Sequence, residues 1–191
     1  MIFAALLSGL TLQAASAPEP GAVLERDTPY IHAGAGFHVT LPAGWQYLPY
    51  EDGSGVVLLH AEMDARLEAS ALETEASGVP GLPDDSIDAL VLRLDGPGFR
   101  PGARLRVPLV VSSEAGGAPA RTGEAEALSY TGRSDDRRWS GIAATRCGAD
   151  YVLTLEGPQA RFDEARTAFD RMAGSFALEL MGGTDFPCGG R

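Results

Sequence analysis

The sequence predicts a mixed α/β (α+β) domain in which helices pack on an antiparallel sheet, and three observations carry that prediction. The segment Phe37-His38-Val39-Thr40-Leu41-Pro42-Ala43-Gly44-Trp45 alternates apolar and polar residues, stops at a Pro-x-Gly turn and is followed by an aromatic anchor. Near the other end, Phe162, Ala165, Phe169, Met172, Ala173 and Phe176 form an apolar stripe at helical spacing. The order between them is strands, helix, strands, helix, and long strands joined by turns favour an antiparallel sheet covered by helices.

Taken in order, residues 18–29 read as a flexible, proline-bearing lead-in. Phe37, Val39 and Leu41 then point to one face of a strand, with His38 and Thr40 on the other. Residues 46–50 and 55–62 read as two further strands about a turn at Glu51-Asp52-Gly53, and Leu67, Ala69 and Ala71 mark a fourth. Asp84 or Asp85 is placed to cap a helix, with Asp88 three residues after Asp85. Ile87, Leu90, Val91 and Leu94 follow the spacing of one buried helical face, and Gly96-Pro97-Gly98 stops it. Ala103, Leu105, Val107, Leu109 and Val111 alternate with Arg104 and Arg106, which share the opposite face. A loop at Gly116-Gly117-Ala118-Pro119 follows. Residues 124–130, 137–146 and 151–156 read as three antiparallel strands, joined by turns at Gly132-Arg133-Ser134-Asp135 and Cys147-Gly148-Ala149-Asp150. Pro158 suits the first turn of the last helix, where a missing N–H is tolerated.

The first 17 residues contain no charged side chain, and their apolar run is shorter than the roughly 20 residues a spanning helix needs. With Ala15-Ser16-Ala17 after it, this reads as a signal peptide cleaved between Ala17 and Pro18, cleavage after Ser16 being the alternative. An N-terminal core helix is the competing reading. The expected organisation is a signal peptide over 1–17, a lead-in over 18–29, a single domain over 30–181 and a glycine-rich tail over 182–191. The expected product is periplasmic or secreted, with no membrane anchor after cleavage, and monomeric. Cys147 and Cys188 are the only cysteines, and in an exported chain they are expected to pair and tether the tail. Two separate thiols are the alternative.

All 15 basic residues are arginine, and the chain has neither lysine nor asparagine, as in the product of a GC-rich bacterial genome. Schiff-base chemistry on lysine is therefore excluded. The formal net charge of −11 argues against a nucleic-acid partner, which requires a basic footprint. His32, His38 and His60 are the only histidines, too scattered to argue for a metal site, so no metal, cofactor or catalytic residue is assigned. No G-x-S-x-G elbow is present. Asp84, Asp85 and Asp88 lack the ligand spacing of a calcium loop and read as helix-capping residues. The features that stand out are Arg104 and Arg106 on one strand face, and Arg138 with Trp139 beside a hairpin turn, because arginine and tryptophan are enriched at binding hot spots. An ordinary solvated sheet edge, with Trp139 in the core, is the competing reading.

Three segments together resemble the PsbP-like superfamily. They are Gly36 to Trp45, the strand entry Thr122-Gly123-Glu124-Ala125-Glu126-Ala127, and the helix end Phe169-Asp170-Arg171-Met172-Ala173-Gly174-Ser175-Phe176. The resemblance implies a sandwich in which an antiparallel sheet of about six to eight strands lies between helices. It implies little about activity, since such folds serve mostly as adaptors, assembly factors or binding proteins. The expected function is thus non-enzymatic binding of a partner protein, of adaptor, assembly or inhibitor/immunity type. A carrier of a small apolar ligand and a hydrolase are the alternatives.

Overall fold

The computed structural model describes residues 17–94, 98–112 and 119–188. The predicted leader up to residue 16, most of the predicted helix stop and the loop at 113–118 lie outside them. In chain order the elements are β1 (Thr28–His32), β2 (Phe37–Leu41), β3 (Gln46–Pro49), β4 (Gly55–His60), β5 (Ala65–Glu73), α1 (Ile87–Leu94), β6 (Arg100–Val111), β7 (Ala120–Arg133), β8 (Arg137–Arg146), β9 (Ala149–Pro158), α2 (Phe162–Ser175) and β10 (Ala177–Glu179). The strands form one ten-stranded sheet in the order β1-β2-β10-β6-β7-β8-β9-β5-β4-β3. Every pairing is antiparallel except β10 with β6. The sheet therefore exceeds the six to eight strands expected. The additions are β1 and the three-residue β10, both at places where the sequence shows no apolar alternation.

The helices lie on opposite faces. On β9, Leu153 and Leu155 join the large core that contains Phe162, Phe169 and Met172 of α2, whereas Val152 packs with Ile87 and Leu90 of α1. Alternation along one strand thus serves two cores. The sheet curls around the α2 side, so that α2 touches β2 as well as β9 and β5. Tyr151 on β9 donates its hydroxyl to the Ala35 carbonyl at 3.0 Å across that curl. Its burial pushes the phenol up to about 12.

Local chemistry explains the ends. Ser86, not Asp84 or Asp85, caps α1, since the Ala89 N–H donates to Ser86 Oγ at 3.2 Å. Asp84 instead accepts the Ser77 N–H at 2.7 Å. Arg93 then pins α1 to the sheet through two hydrogen bonds to the Asp150 carboxylate at 2.6 and 2.7 Å. Pro158 ends β9 opposite Arg137 and does not open α2, which begins at Phe162. The stretch read as a loose lead-in is docked. Leu24 is buried, and the backbone of Gly21, Ala22 and Leu24 exchanges hydrogen bonds with Trp45 and Tyr47, covering the outer edge of β3. In β6, Ala103 and Val111 are exposed and Val110 is buried, because register shifts fall between Pro101 and Arg104 and between Leu109 and Val110.

Cys147 and Cys188 form a disulfide across 41 positions, with their Cα atoms 4.7 Å apart. Cys147 and Gly148 both have positive φ, 55° and 78°, and make the tight turn between β8 and β9. The tail folds back from there. Thr184 and Asp185 donate their amides to the carbonyls of Ala33 and Gly34 at 3.1 and 2.9 Å, and Phe186 packs against the core. Among the described residues, no helix is long and apolar enough to cross a membrane.

Candidate functional site: an arginine cleft beside the β7–β8 hairpin

Strand register brings together a set of arginines distant in sequence. In the β7–β8 pairing, Thr131 faces Ser140 and Arg133 faces Arg138. In the β6–β7 pairing, Arg100 faces Thr131. Ser140 in turn faces Leu155, a core residue on the α2 side. Cross-strand partners share a face, so Arg100, Thr131, Arg133, Arg138 and Ser140 all stand on the α2 side of the sheet. Phe162 and Arg166, one helical turn apart on α2, close the other wall. The result is a cleft of about 450 Å³ whose lining includes Arg100, Arg133, Arg138 and Arg166.

Two of these guanidinium groups are held in place. Arg138 stacks over the Phe162 ring, 4.6 Å from its centroid, and approaches Asp163 at 3.6 Å. Arg166 donates to Asp170 at 2.7 Å and lies 5.5 Å from the Phe169 ring centroid. Arg100 and Arg133 make no ion pair among the described residues, and no carboxylate is among the cleft's described lining residues. Arg133 and Arg138 are like charges directly opposite each other, an arrangement that costs stability when nothing lies between them.

Trp139 points to the other face of β8. Its ring crosses the backbone of Gly132, where an added Cβ would lie 1.8 Å from the indole nitrogen, and its outer part packs with the α1 cluster. Trp139 is therefore partly core, and it borders the cleft along its edge. Arg104 and Arg106 do not join Arg138. They sit on the α1 side of β6, where Arg104 pairs with Asp88 at 2.5 Å and Arg106 with Glu126 at 3.4 Å. The reason is a bulge. Between Pro101 and Arg104, β6 carries one residue more than its partner β7, which sends Arg100 and Arg104 to opposite faces despite their even spacing. Gly102 permits this close approach, since a Cβ there would stand 2.5 Å from the Ser129 hydroxyl. Arg100, Arg133 and Arg166 are the site residues that sequence reasoning missed. One signal for them was present: a hairpin that turns between Asp135 and Asp136 sets Arg133 opposite Arg138.

The histidines occupy separate settings. The His32 ring accepts the Ala35 N–H at 3.0 Å, and His60 meets Trp45 edge-on at 5.3 Å. His38 is buried, with its Nε2 2.5 Å from Glu179 Oε1 and 3.3 Å from Ser112 Oγ. A nucleophile relay would use the two ring nitrogens for two different partners. Here a single nitrogen takes both contacts, and Ser112 also donates directly to Glu179, so the cluster is a structural clasp between β2, β10 and β6. Burial alone would raise the Glu179 pKa. Hydrogen bonds from Ser112 and His38 outweigh it and hold the carboxyl below its ordinary value. No group of three or more metal-ligating side chains with the geometry for an ion is found among the described residues.

Neither a protein-family model nor a curated relative matches the sequence. In three dimensions the chain is similar to the solution structure of cyanobacterial PsbP (CyanoP) from Synechocystis sp. PCC 6803. The match has 16% sequence identity and a TM-score of 0.47, and covers 86% of this chain and 98% of that one.

Proposed function

We propose that the protein is exported and acts without catalysis, capturing a partner protein at the arginine cleft. The observation that carries this reading is the gathering of four guanidinium groups in an acidic chain with no carboxylate among the described lining residues. Elsewhere the arginines are matched locally, as in Arg93–Asp150, Arg104–Asp88, Arg106–Glu126 and Arg137–Glu156. An excess of one charge in a preformed, partly apolar recess is the ordinary make-up of a recognition site. The same lining counts against the apolar-ligand carrier, since guanidinium groups in the walls favour an anionic occupant.

The test is affinity capture from envelope extract with the mature protein and with the double variant R133E/R138E, compared by quantitative mass spectrometry. A partner enriched by the parent and lost by the variant, with a cooperative melt showing that the variant is folded, supports the reading. Equal enrichment by both proteins refutes it.

A further inference from the structure

Resting on that reading, we infer that the cleft receives an extended acidic segment of the partner carrying two carboxylates with one residue between them, an Asp-x-Asp or Glu-x-Glu strand. The charge count sets the number of anions. Arg138 and Arg166 are already partly matched by Asp163 and Asp170, whereas Arg100 and Arg133 have no ion pair among the described residues. Two positive charges thus await a partner.

The sheet geometry sets their spacing. Arg100 stands beside Thr131, and Arg133 lies two residues further along β7, so the attachment points are one strand and one strand repeat apart, roughly 8 Å. In an extended peptide, residues i and i+2 share a face and lie roughly 7 Å apart. A single compact anion engages one of the two positions at a time; an alternating pair engages both.

The chemistry of the walls agrees. Guanidinium forks bind carboxylates through two parallel N–H···O bonds, and Arg138 is pre-set for this by its stack on Phe162. A carboxylate seated between Arg133 and Arg138 would also relieve the repulsion of two like charges that face each other across the hairpin. Thr131, Ser140 and Gln159 supply neutral polar groups for the peptide backbone. A volume of about 450 Å³ exceeds what one carboxylate fills and falls in the range of ligand-sized pockets.

Isothermal titration of the mature protein with a blocked peptide of core Asp-Ala-Asp, its Asn-Ala-Asn counterpart and inorganic phosphate tests this. The acidic peptide should bind at least about tenfold more tightly than the amide peptide, and R100Q and R133Q should each weaken it by about tenfold, one charge-assisted contact apiece. Its affinity should fall with added salt, and millimolar phosphate should not displace it. Equal binding of the two peptides, no binding of either, or displacement by phosphate at its own affinity overturns the inference. The outcome separates from the wider reading. Partner capture that R133E/R138E abolishes, together with equal peptide binding, removes the paired carboxylates but leaves the surface. Capture that the double variant does not affect removes the surface itself.

Discussion

At the scale of single residues, the site depends on the packing of one indole ring against one glycine. The indole of Trp139 lies across Gly132 and leaves no room for a methyl group on the β7 backbone there. Gly132 sits between Thr131 and Arg133, so whatever moves the ring moves the walls of the cleft. Gly132→Ala should cost about 1–3 kcal/mol, as overpacking does, and shift the tryptophan emission. A denaturant melt with unchanged midpoint and unchanged fluorescence would show that the ring is not held there. Glu179 makes a second residue-scale case. Its carboxyl is held below the ordinary value of 4.5, so the proton it lacks in the fold would be regained on unfolding. The stability this contributes is fully present above the unfolded carboxylate range and is lost as the pH falls through the lower, folded value. Glu179→Gln should therefore flatten the decline of the melting midpoint below about pH 4.5 relative to the parent, measured by thermal scans over that range.

Among the elements, α2 illustrates what periodicity can carry. Its stripe was legible because five of its residues, Phe162, Ala165, Ala168, Phe169 and Met172, bury along one side of a helix that crosses the concave face of the sheet. Phe169→Ala should destabilise the fold by about 3–5 kcal/mol in a denaturant melt, the usual range for emptying a buried phenylalanine site. A loss under about 1 kcal/mol would mean that this face is not packed. The helix beginnings were less legible. Asp84 and Asp85 read as the caps of α1, whereas the turn made by Pro83 and Ser86 gives that place to the serine after them. β1 escaped notice because its burial pattern never reaches a buried residue, and β10 because three residues cannot establish a period. The cleft was half legible. Arg138 and Trp139 stood out as a cluster, while Arg100, Arg133 and Arg166 belong to three other elements, and only their pairing register unites them.

For the molecule as a whole, the chain closes on itself at two places remote from the cleft. The lead-in covers the edge of β3, and the tail returns to the β1–β2 turn and is tied beyond it to the β8–β9 turn by Cys147–Cys188. A crosslink spanning 41 positions should contribute about 4 kcal/mol through the unfolded chain. Reduction with an exposed-thiol count, or C147A/C188A, should lower the melting midpoint by several degrees while leaving peptide binding at the cleft intact, because the two sites are on different ends of β8. Loss of binding on reduction would tie the tail to the site. The register shift in β6 has a different reach. One supernumerary residue between Pro101 and Arg104 works as a change of reading frame for the strand. Downstream of it, arginines serve the α1 face and are neutralised; upstream of it, Arg100 serves the α2 face and is not. In a regular ladder of these same residues, with every charge and the length of the strand unchanged, Arg100 would stand on the α1 face with Arg104. Recognition here is thus encoded as much in the parity of a strand as in the identity of its residues.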